Sequence, residues 1–370
     1  MNIGILSLKY QNNYGGILQS FALQEYLKSL NHEVEIINFK LHTKEGFFHR
    51  FIYLFFNTLF SRNIITTISD KFKEKKKRKG VDSYELINNN EQFMLKFLNR
   101  SRPIDENDIS SYCVKFDCII IGSDQVWSVT NSKHLIYFFD WNFKGLKIAF
   151  SACSVYNKPA FLNKRRIKKL LYNFNAITVR DETTKSFVHS VLHIEPRITI
   201  DPTLLIDFES SLPIRRLISE PYMFVYILGD EIEGGNKQAI KLIKAKYGNI
   251  KVISIVVPSI SLAGYEGADT VLTQCTPIEW ICLLKYSEFV FTDSFHGCIF
   301  SLKYHKHFIG YYKYAKRASR LIDLKKRYKL TNILTNCKEI SNDKFSDTAS
   351  NYNRIKADIE FSCNFLKTIR

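Results

Sequence analysis

The sequence predicts an α/β protein built from two successive domains, each with a mostly parallel β-sheet. Short apolar runs typical of buried strands alternate along the chain with segments of helical spacing. This alternation indicates crossover connections between parallel strands. It breaks near residues 206–221, where Ser and Pro cluster, and then begins again. At 370 residues the chain is also long for a single hydrophobic core, which favours two domains.

The first domain is predicted to span residues 1–205 and to begin with a strand and a helix. Residues 14–28 carry apolar side chains at near-helical spacing, shortly after the apolar run 3–8. Further short apolar runs predict the other strands of this domain. These runs are residues 34–39, 116–121, 147–151, 176–179 and 197–200. Residues 46–80 interrupt the alternation as an aromatic and basic insertion.

The second domain is predicted at residues 222–345, after a linker at 206–221. Strands are expected at residues 222–228, 251–256 and 289–292, with a weaker one at 307–310, and helices at 236–247, 278–286 and 295–304. Residues 346–370 have helical spacing, and we expect a C-terminal helix that packs back across both domains. A cleft between two such domains is the usual place for a ligand.

The composition is that of an ordinary globular protein, with 45% hydrophobic and 24% charged residues. The eight cysteines are scattered without a C-x-x-C pair, which argues against a zinc site and for a reducing compartment. No group of carboxylates or histidines has the spacing of metal ligands, so no metal is expected. Residues 1–8 are too short for the apolar part of a secretory signal. We therefore expect a cytoplasmic protein.

The net charge of +17 calls for an anionic partner, and part of this charge lies in one segment. From Phe47 to Lys79 an aromatic run precedes a dense block of Lys and Arg that contains Glu74. The apolar run is too short to cross a bilayer, which takes about 20 residues. Such a segment is typical of a helix lying on an anionic membrane surface, here the inner face of the cell membrane. A core-facing helix followed by a solvated basic loop is the alternative.

A histidine lies where a predicted strand is followed by a helix. Residues 289–292 are a short apolar strand, and Asp293, Ser294 and Gly297 open the next helix, with His296 in its first turn. Unpaired N–H groups at a helix N-terminus bind phosphate or carboxylate, and histidine is the usual proton donor near neutral pH. This pattern indicates an enzyme acting on a phosphorylated or carboxylated small molecule. Capping residues beside a histidine that only packs are the alternative.

A glycine-containing turn follows the first predicted strand, at residues 11–16. Tyr14, Gly15 and Gly16 stand at the start of a helix, where glycines let the backbone approach a ligand closely. The segment is not G-x-G-x-x-G, so it does not support a dinucleotide site. A tight turn without a ligand explains it equally well.

Polar residues follow the isoleucine-rich strand at 116–121. Asp124 and Gln125 have side chains that hydrogen-bond sugar hydroxyls, and Trp127 has a ring that stacks on a sugar face. Because polar residues directly after a buried strand are costly without a role, we expect these three to bind a ligand. A capped turn over a buried tryptophan is the alternative.

An arginine and an aspartate end two further strands. Arg180 is followed by a helix capped by Asp181 and Glu182, and its planar guanidinium can grip a carboxylate or phosphate at two points. A salt bridge to either acidic neighbour is the alternative. Asp201 precedes a proline, and we expect it to have a structural role at the edge of the domain.

These segments, in this order, resemble the polysaccharide pyruvyl transferase family. The matching segments are residues 14–24 (YGGILQSFALQ), 122–127 (GSDQVW), 149–154 (AFSACS), 179–182 (VRDE), 201–205 (DPTLL) and 292–297 (TDSFHG). They cover roughly residues 1–330, and six ordered matches are far more specific than one. The aromatic and basic insertion matches no pattern of the family.

The resemblance implies two Rossmann-like domains in a GT-B-like arrangement, with the site in the cleft between them. Proteins of this family move the pyruvyl group of phosphoenolpyruvate onto two hydroxyls of a sugar as a cyclic ketal, in exopolysaccharide or capsule biosynthesis. On this basis His296 is expected to be the general acid and Arg180 to hold the donor's anionic groups. No cofactor is expected beyond phosphoenolpyruvate as co-substrate.

The resemblance also implies a second cation beyond the histidine helix. Lys316 lies where some members carry a basic residue, with Arg317 and Arg320 as close competitors, and surface charges are the alternative. Ser294 stands where some members carry Arg, and we expect it near the donor. The acceptor, expected to be linked to polyprenyl diphosphate, would lie against the Tyr14 turn and the Asp124 loop.

Three other functions compete with this one. A nucleotide-sugar glycosyltransferase of the same architecture is the first. A nucleic-acid-binding protein is prompted by the charge, but the basic residues form one block rather than a pattern interleaved across a sheet, so we expect no nucleic acid. A non-catalytic member of the family is the third, and the presence of His296 and Arg180 argues against it.

Overall fold

The computed structural model describes residues 1–8, 12–40, 83–130, 132–315, 318–341 and 348–369. The segment from Phe47 to Lys79 lies outside these residues. Within the described ranges, no helix is both long enough and apolar enough to cross a membrane.

The first half of the chain forms a six-stranded sheet in which every pair of neighbouring strands is parallel. Its strands are β1 (Asn2–Leu6), β2 (Glu33–Ile36), β3 (Cys118–Ile121), β4 (Leu146–Ala152), β5 (Ala176–Val179) and β6 (Arg197–Ile198). They lie in the order β2-β1-β3-β4-β5-β6. The central strand β3 is buried along its whole length, as expected for a strand covered on both faces.

The helices of the first half connect and cover these strands. In the described part of this half they are α1 (Tyr14–Ser29), α2 (Tyr84–Phe97), α3 (Ile109–Tyr112), α4 (Lys164–Leu171) and α5 (Glu182–Leu192). Two of them begin at residues that cap them: the side chain of Asn13 accepts from the N–H of Gly16, and that of Asp181 accepts from the N–H of Thr184. Both caps follow a strand closely, so each places its helix at the carboxyl edge of the sheet.

The second half repeats this architecture. Its strands are β7 (Tyr222–Tyr226), β8 (Lys251–Ile255), β9 (Thr270–Leu272), β10 (Phe289–Thr292), β11 (His307–Tyr311) and β12 (Ile333–Leu334), in the parallel order β12-β11-β10-β7-β8-β9. Its described helices are α6 (Asn236–Tyr247), α7 (Pro277–Lys285), α8 (Phe295–Lys303), α9 (Ser319–Arg327) and α10 (Thr348–Lys367). The prediction of an α/β protein with two mostly parallel sheets is confirmed.

The predicted elements agree with the structure except in detail. The strand at 307–310, expected to be weak, is a regular buried strand that extends to Tyr311. The sequence analysis missed β9 and β12 because strands of two or three residues are too short to show a periodic pattern of apolar residues. It also missed α4 and α9, in which charged residues outnumber apolar ones.

Contacts at the start of α1 and along α10 are among those that join the halves. The ring of Tyr14 stacks on Trp280 at a centroid distance of 6.0 Å, and its hydroxyl donates to the carbonyl of Cys275. The C-terminal helix α10 touches both halves, since Ser362 accepts from the N–H of Ile200 while Asp358 accepts from the hydroxyl of Tyr328. The halves are therefore held together at the start of α1 and along α10.

Candidate active site

His296 lies at the carboxyl edge of the second sheet, in the first turn of α8. Strand β10 ends at Thr292, and the hydroxyl of Ser294 caps the helix by accepting from the N–H of Gly297 at 3.3 Å. The backbone N–H groups of Phe295 and His296 have no acceptor among the described residues. The predicted strand, cap and position of the histidine are therefore confirmed.

Gly15 brings the first half of the chain against the imidazole of His296. A Cβ atom placed on Gly15 would lie 2.1 Å from Cγ of His296 and 2.2 Å from its Nδ1, far closer than atoms can approach. Only a residue without a side chain fits there. The glycine of the predicted ligand-binding turn therefore makes room for the histidine of the other half.

Asp201 faces His296 from the carboxyl end of β6. Its Oδ2 lies 3.4 Å from Nε2 of His296, although the two atoms do not form a hydrogen bond, and it accepts from Nη1 of Arg180 at 2.8 Å. Burial alone would raise the pKa of Asp201, but the charges of His296 and Arg180 hold that pKa well below its usual range. Asp201 is thus a buried carboxylate beside the histidine. The expected structural role is confirmed as well, because its other oxygen, Oδ1, accepts from the backbone N–H of Thr203 at 3.1 Å and caps the short 3-10 turn that follows β6.

Arg180 is buried between two carboxylates, with 2% of its surface exposed. Besides Asp201, it binds Oδ1 of Asp124 through Nη2 at 2.5 Å, and its guanidinium lies 4.8 Å from the centre of the Phe295 ring. Asp181, an expected salt-bridge partner, instead caps α5. Both terminal nitrogens of Arg180 therefore bind the protein's own carboxylates, and the donor contact expected of it stays a prediction.

Arg320 is an arginine of the second half that reaches the cleft. It enters from α9, its side chain is 25% exposed, and its Nη1 lies 3.4 Å from the same Oδ1 of Asp124. Its guanidinium is also 5.6 Å from the centre of the Phe295 ring. Asp124 therefore positions one arginine from each half of the chain. The two alternatives named with Arg320, Lys316 and Arg317, lie outside the described residues.

A cavity of about 240 Å³ opens in front of His296. Ser294, Arg320 and Lys313 also line it, and Asn13 contributes from the first half. The cavity lies at the carboxyl ends of β7 and β10, the point where the strand order of the second sheet reverses. Open α/β sheets bind ligands at this position.

Asp293 is a half-buried carboxylate that lines this cavity. It accepts from the backbone N–H groups of Leu228 and Gly229 at 2.7 and 2.6 Å, which fixes the loop after β7. Burial raises the pKa of Asp293 to about 7, and these two hydrogen bonds oppose the rise. The loop that forms one wall of the cavity is therefore tied directly to the start of α8.

Two predicted acceptor residues lie in the core instead. Trp127 is fully buried, stacks on both Phe138 and Phe187, and donates its indole N–H to the carbonyl of Tyr137. Tyr14 is equally buried at the contact between the halves. Neither ring offers a face to a sugar, so stacking by Trp127 is wrong. The structure agrees with the alternative of a turn over a buried tryptophan, although no side chain caps that turn.

The remaining acceptor candidates occupy different surroundings. Gln125 is half-buried after β3, and Asp124 beside it binds the two arginines. Gly16 lies in the first turn of α1 and borders a smaller cavity with Ser7 and Ser20. The structure thus brings Gly15, Asp124, Arg180, Ser294 and His296 together and leaves Gly16 at a neighbouring opening.

We expect Arg180→Lys to destabilise the protein by about 1–3 kcal/mol. Lysine cannot bind both carboxylates with parallel N–H donors, so one buried carboxylate would lose its partner. Arg320→Lys is the matched control, because that side chain is partly exposed and makes one long contact. Thermal unfolding of both variants measures the difference. Equal melting temperatures would contradict a structural role for the Arg180 pairs.

The chain matches the family model described as polysaccharide pyruvyl transferase over residues 13–312. No curated protein matches it in sequence. Similar solved structures include a glycosyltransferase of kitacinnamycin, with 10% identity over 100% of this chain and 98% of that chain and a TM-score of 0.50. Anabaena HepE in complex with UDP and glucose has 9% identity over 99% and 97% of the chains and the same TM-score, 0.50.

A putative UDP-N-acetylglucosamine 2-epimerase from Listeria monocytogenes also matches, with 11% identity over 99% of this chain and 91% of that chain and a TM-score of 0.48. At sequence identities this low, similarity to a solved structure is evidence for the fold alone. The two structures with a TM-score of 0.50 agree with the two parallel six-stranded sheets and the cleft between them, which is the GT-B-like arrangement that was expected. The family match covers most of the sequence, including the histidine, both arginine-binding aspartates and the glycine turn. The chain therefore belongs to the polysaccharide pyruvyl transferase family and has a GT-B-like fold.

Proposed function

We propose that this protein moves the pyruvyl group of phosphoenolpyruvate onto two hydroxyls of a saccharide, forming a cyclic ketal in exopolysaccharide or capsule biosynthesis. The observation that carries the proposal is the pairing of His296 with Asp201 at a cavity lined by Arg320 and Lys313. A proton-donating histidine beside cations suits a pyruvyl-donor substrate that carries a phosphate and a carboxylate. Membership of the family supports the same chemistry.

The donor's anionic groups would bind at the start of α8. The free N–H groups of Phe295 and His296 and the positive end of the helix favour an anion there. Arg320 lines the same cavity and supplies a planar cation, and Ser294, the residue that caps the helix, lines it as well. Arg180 would affect the donor indirectly, by helping to position Arg320. Both arginines contact Asp124 and the ring of Phe295.

His296 would supply the proton that starts the reaction. The imidazolium gives its proton to the methylene carbon of phosphoenolpyruvate, and the electron pair of the carbon–carbon double bond forms the new C–H bond. The positive charge left on the adjacent carbon is shared with the oxygen that links it to phosphorus. One acceptor hydroxyl attacks that carbon and passes its proton back to the imidazole. A second hydroxyl then displaces phosphate, which takes up the proton of that hydroxyl as it leaves, and the ketal closes. The carboxylate of Asp201 stabilises the charged imidazolium before the transfer.

The acceptor would enter from the side of the first sheet. Gln125 and the backbone near Gly16 lie on that side, and the acceptor is proposed to be a saccharide linked to polyprenyl diphosphate. The segment from Phe47 to Lys79, with its aromatic run and basic block, is proposed to hold the enzyme against the anionic inner face of the membrane. No metal is needed, because the cations of the cavity already balance the donor.

Phosphoenolpyruvate should raise the melting temperature of the purified protein, whereas UDP should not. A ligand that binds only the folded state adds about 2.7 kcal/mol of stability at 100 times its Kd. Differential scanning fluorimetry over a range of ligand concentrations measures both responses. The alternative, a nucleotide-sugar glycosyltransferase, predicts that UDP raises the melting temperature and phosphoenolpyruvate does not.

Two controls sharpen this comparison. EDTA should leave the response to phosphoenolpyruvate unchanged, since no metal takes part in its binding. Arg320→Ala should weaken that response without lowering the melting temperature of the ligand-free protein by much, because the side chain is partly exposed. A response to UDP and none to phosphoenolpyruvate would refute the proposed donor.

A further inference from the structure

The helix α4 carries an unbalanced positive charge. No Asp or Glu occurs between Asp140 and Asp181, and this stretch includes the sequence KRRIKKLL of α4. Arg166 pairs with Asp140 at 2.8 Å. The other basic residues of the helix and of the loop before it have no carboxylate partner among the described residues. They are Lys158, Lys164, Arg165, Lys168 and Lys169.

Two large apolar side chains stand exposed beside these charges. Phe161 is 90% and Leu162 is 81% exposed, and both lie in the short 3-10 turn that leads directly into α4. Single exposed apolar residues are common, but an adjacent pair this open among unpaired cations is not. We call the surface formed by Phe161, Leu162, Tyr172 and the five unpaired basic residues the α4 corner.

The orientation of the α4 corner is fixed by the core. Ile167 and Leu171 are buried against the first half of the protein, so the opposite face of the helix points to solvent. Leu162, Arg165 and Lys169 follow one another at i, i+3 and i+7, the spacing of residues on a single helix face. An apolar side chain and two cations therefore project together from the protein.

The α4 corner also lies at the edge of the sheet that faces the active site. The chain reaches it from the carboxyl end of β4, where the N–H of Cys153 donates to the carbonyl of Asp124 at 3.0 Å. Asp124, Arg180 and Asp201 all follow strand ends at this same edge. A partner surface bound to the α4 corner would therefore lie near the side of the cleft that the first sheet forms.

We propose that the α4 corner docks this protein on an anionic lipid bilayer, with Phe161 and Leu162 inserted below the headgroups and the basic residues among the phosphates. Apolar side chains ringed by Lys and Arg are the features that favour a membrane interface, because the acyl region takes up the apolar pair while the phosphates pair with the cations. A nucleic acid would balance the charge but would leave Leu162 without an apolar partner. This surface is separate from the segment at Phe47 to Lys79 and does not depend on the proposed reaction.

The test is sedimentation of the full-length protein with vesicles of phosphatidylcholine alone or mixed with phosphatidylglycerol. The variant R165Q/K169Q removes two charges from the exposed face of α4. Its matched control, K237Q/K241Q, removes two charges at the same i, i+4 spacing from the exposed face of α6, where they also have no carboxylate partner among the described residues. We expect R165Q/K169Q to bind anionic vesicles about tenfold more weakly or worse at low salt, and the control to bind nearly as the wild type does.

A second variant tests the apolar contact. F161S/L162S keeps every charge, so its loss of binding should persist at high salt, where the electrostatic attraction is screened. Each α4 variant is also made with Lys75, Lys76, Lys77 and Arg78 replaced by Gln, which separates the α4 corner from the earlier segment. The substituted residues of α4 are exposed, so thermal unfolding should match the wild type.

Equal vesicle binding by R165Q/K169Q and K237Q/K241Q would overturn the proposal. So would a loss of binding to duplex DNA in R165Q/K169Q while its vesicle binding is unchanged, because that result would assign the α4 corner to nucleic acid. Weaker binding of both α4 variants, in either background, would support it.

Discussion

His296→Ala is expected to lower turnover by about 10²–10⁴-fold, which is the range lost when a general acid is removed. The imidazole is buried in the first turn of α8 beside the carboxylate of Asp201, and no other described histidine lines the cavity. Alanine keeps the helix but offers no proton. The affinity for phosphoenolpyruvate should change little, because Arg320 and the N–H groups of the helix remain.

Turnover is followed as phosphate released from phosphoenolpyruvate in the presence of acceptor, and affinity as the ligand-dependent shift in melting temperature. Ser294→Ala is a useful comparison, since it removes the cap of α8 without removing the proton donor and should cost stability more than turnover. Near-normal turnover in His296→Ala would refute the assignment of the general acid.

Gly15→Ala is expected to reduce activity by about 10²-fold and to destabilise the protein. Replacing glycine by alanine within a helix normally stabilises the protein by up to about 1 kcal/mol. The expected destabilisation is therefore opposite to the usual effect. Here the added methyl group would lie 2.1 Å from Cγ of His296 and 2.6 Å from its Cβ. Either the imidazole leaves its position or the start of α1 moves away from the second half, and displacements of about 1 Å are enough to cost 10²-fold in rate.

The clash itself can be isolated by a double-mutant cycle. His296→Gly removes all three atoms that the new methyl group would meet, so Gly15→Ala should lose most of its destabilising effect in that background. Thermal unfolding of the four proteins gives the coupling between the two positions. Additive effects would mean that the two residues do not touch, which would contradict the geometry of the site.

The sequence predicted those helices and strands whose apolar residues recur at a clear spacing. It also predicted the residues that stand at their ends. The strand before His296 and the Ser294 cap were predictable, because a buried apolar run followed by a capping residue is a local pattern. Arg180 was identified as a site residue for the same reason. Asp124 was also named as a site residue, but as a contact for the acceptor. That Asp124 and Asp201 bind Arg180 was not predicted, because both are distant in sequence and meet it only where β3, β5 and β6 end at the same edge of the sheet.

Other residues were misjudged because their neighbours come from elsewhere in the chain. Trp127 follows polar residues and resembles a ligand contact, yet Phe138 and Phe187 enclose it. Asp201 was assigned a structural role at the domain edge, and it does cap the turn there, but its contact with Arg180 depends on a residue that is distant in sequence. The role of Gly15 depends on a histidine of the other sheet, which no local pattern reveals.

The aromatic contact at the start of α1 has a consequence for how this protein folds. Tyr14 contributes its ring to a cluster with Trp280 and Tyr226, and this cluster belongs to a hydrophobic core that includes side chains of both sheets. Each half also has a smaller core of its own, but one face of each sheet is buried only in the shared core. A fragment ending near residue 205 would leave the Tyr14 ring in water, and one beginning near residue 222 would expose Trp280. The two halves are units of architecture, but they should melt as one cooperative unit.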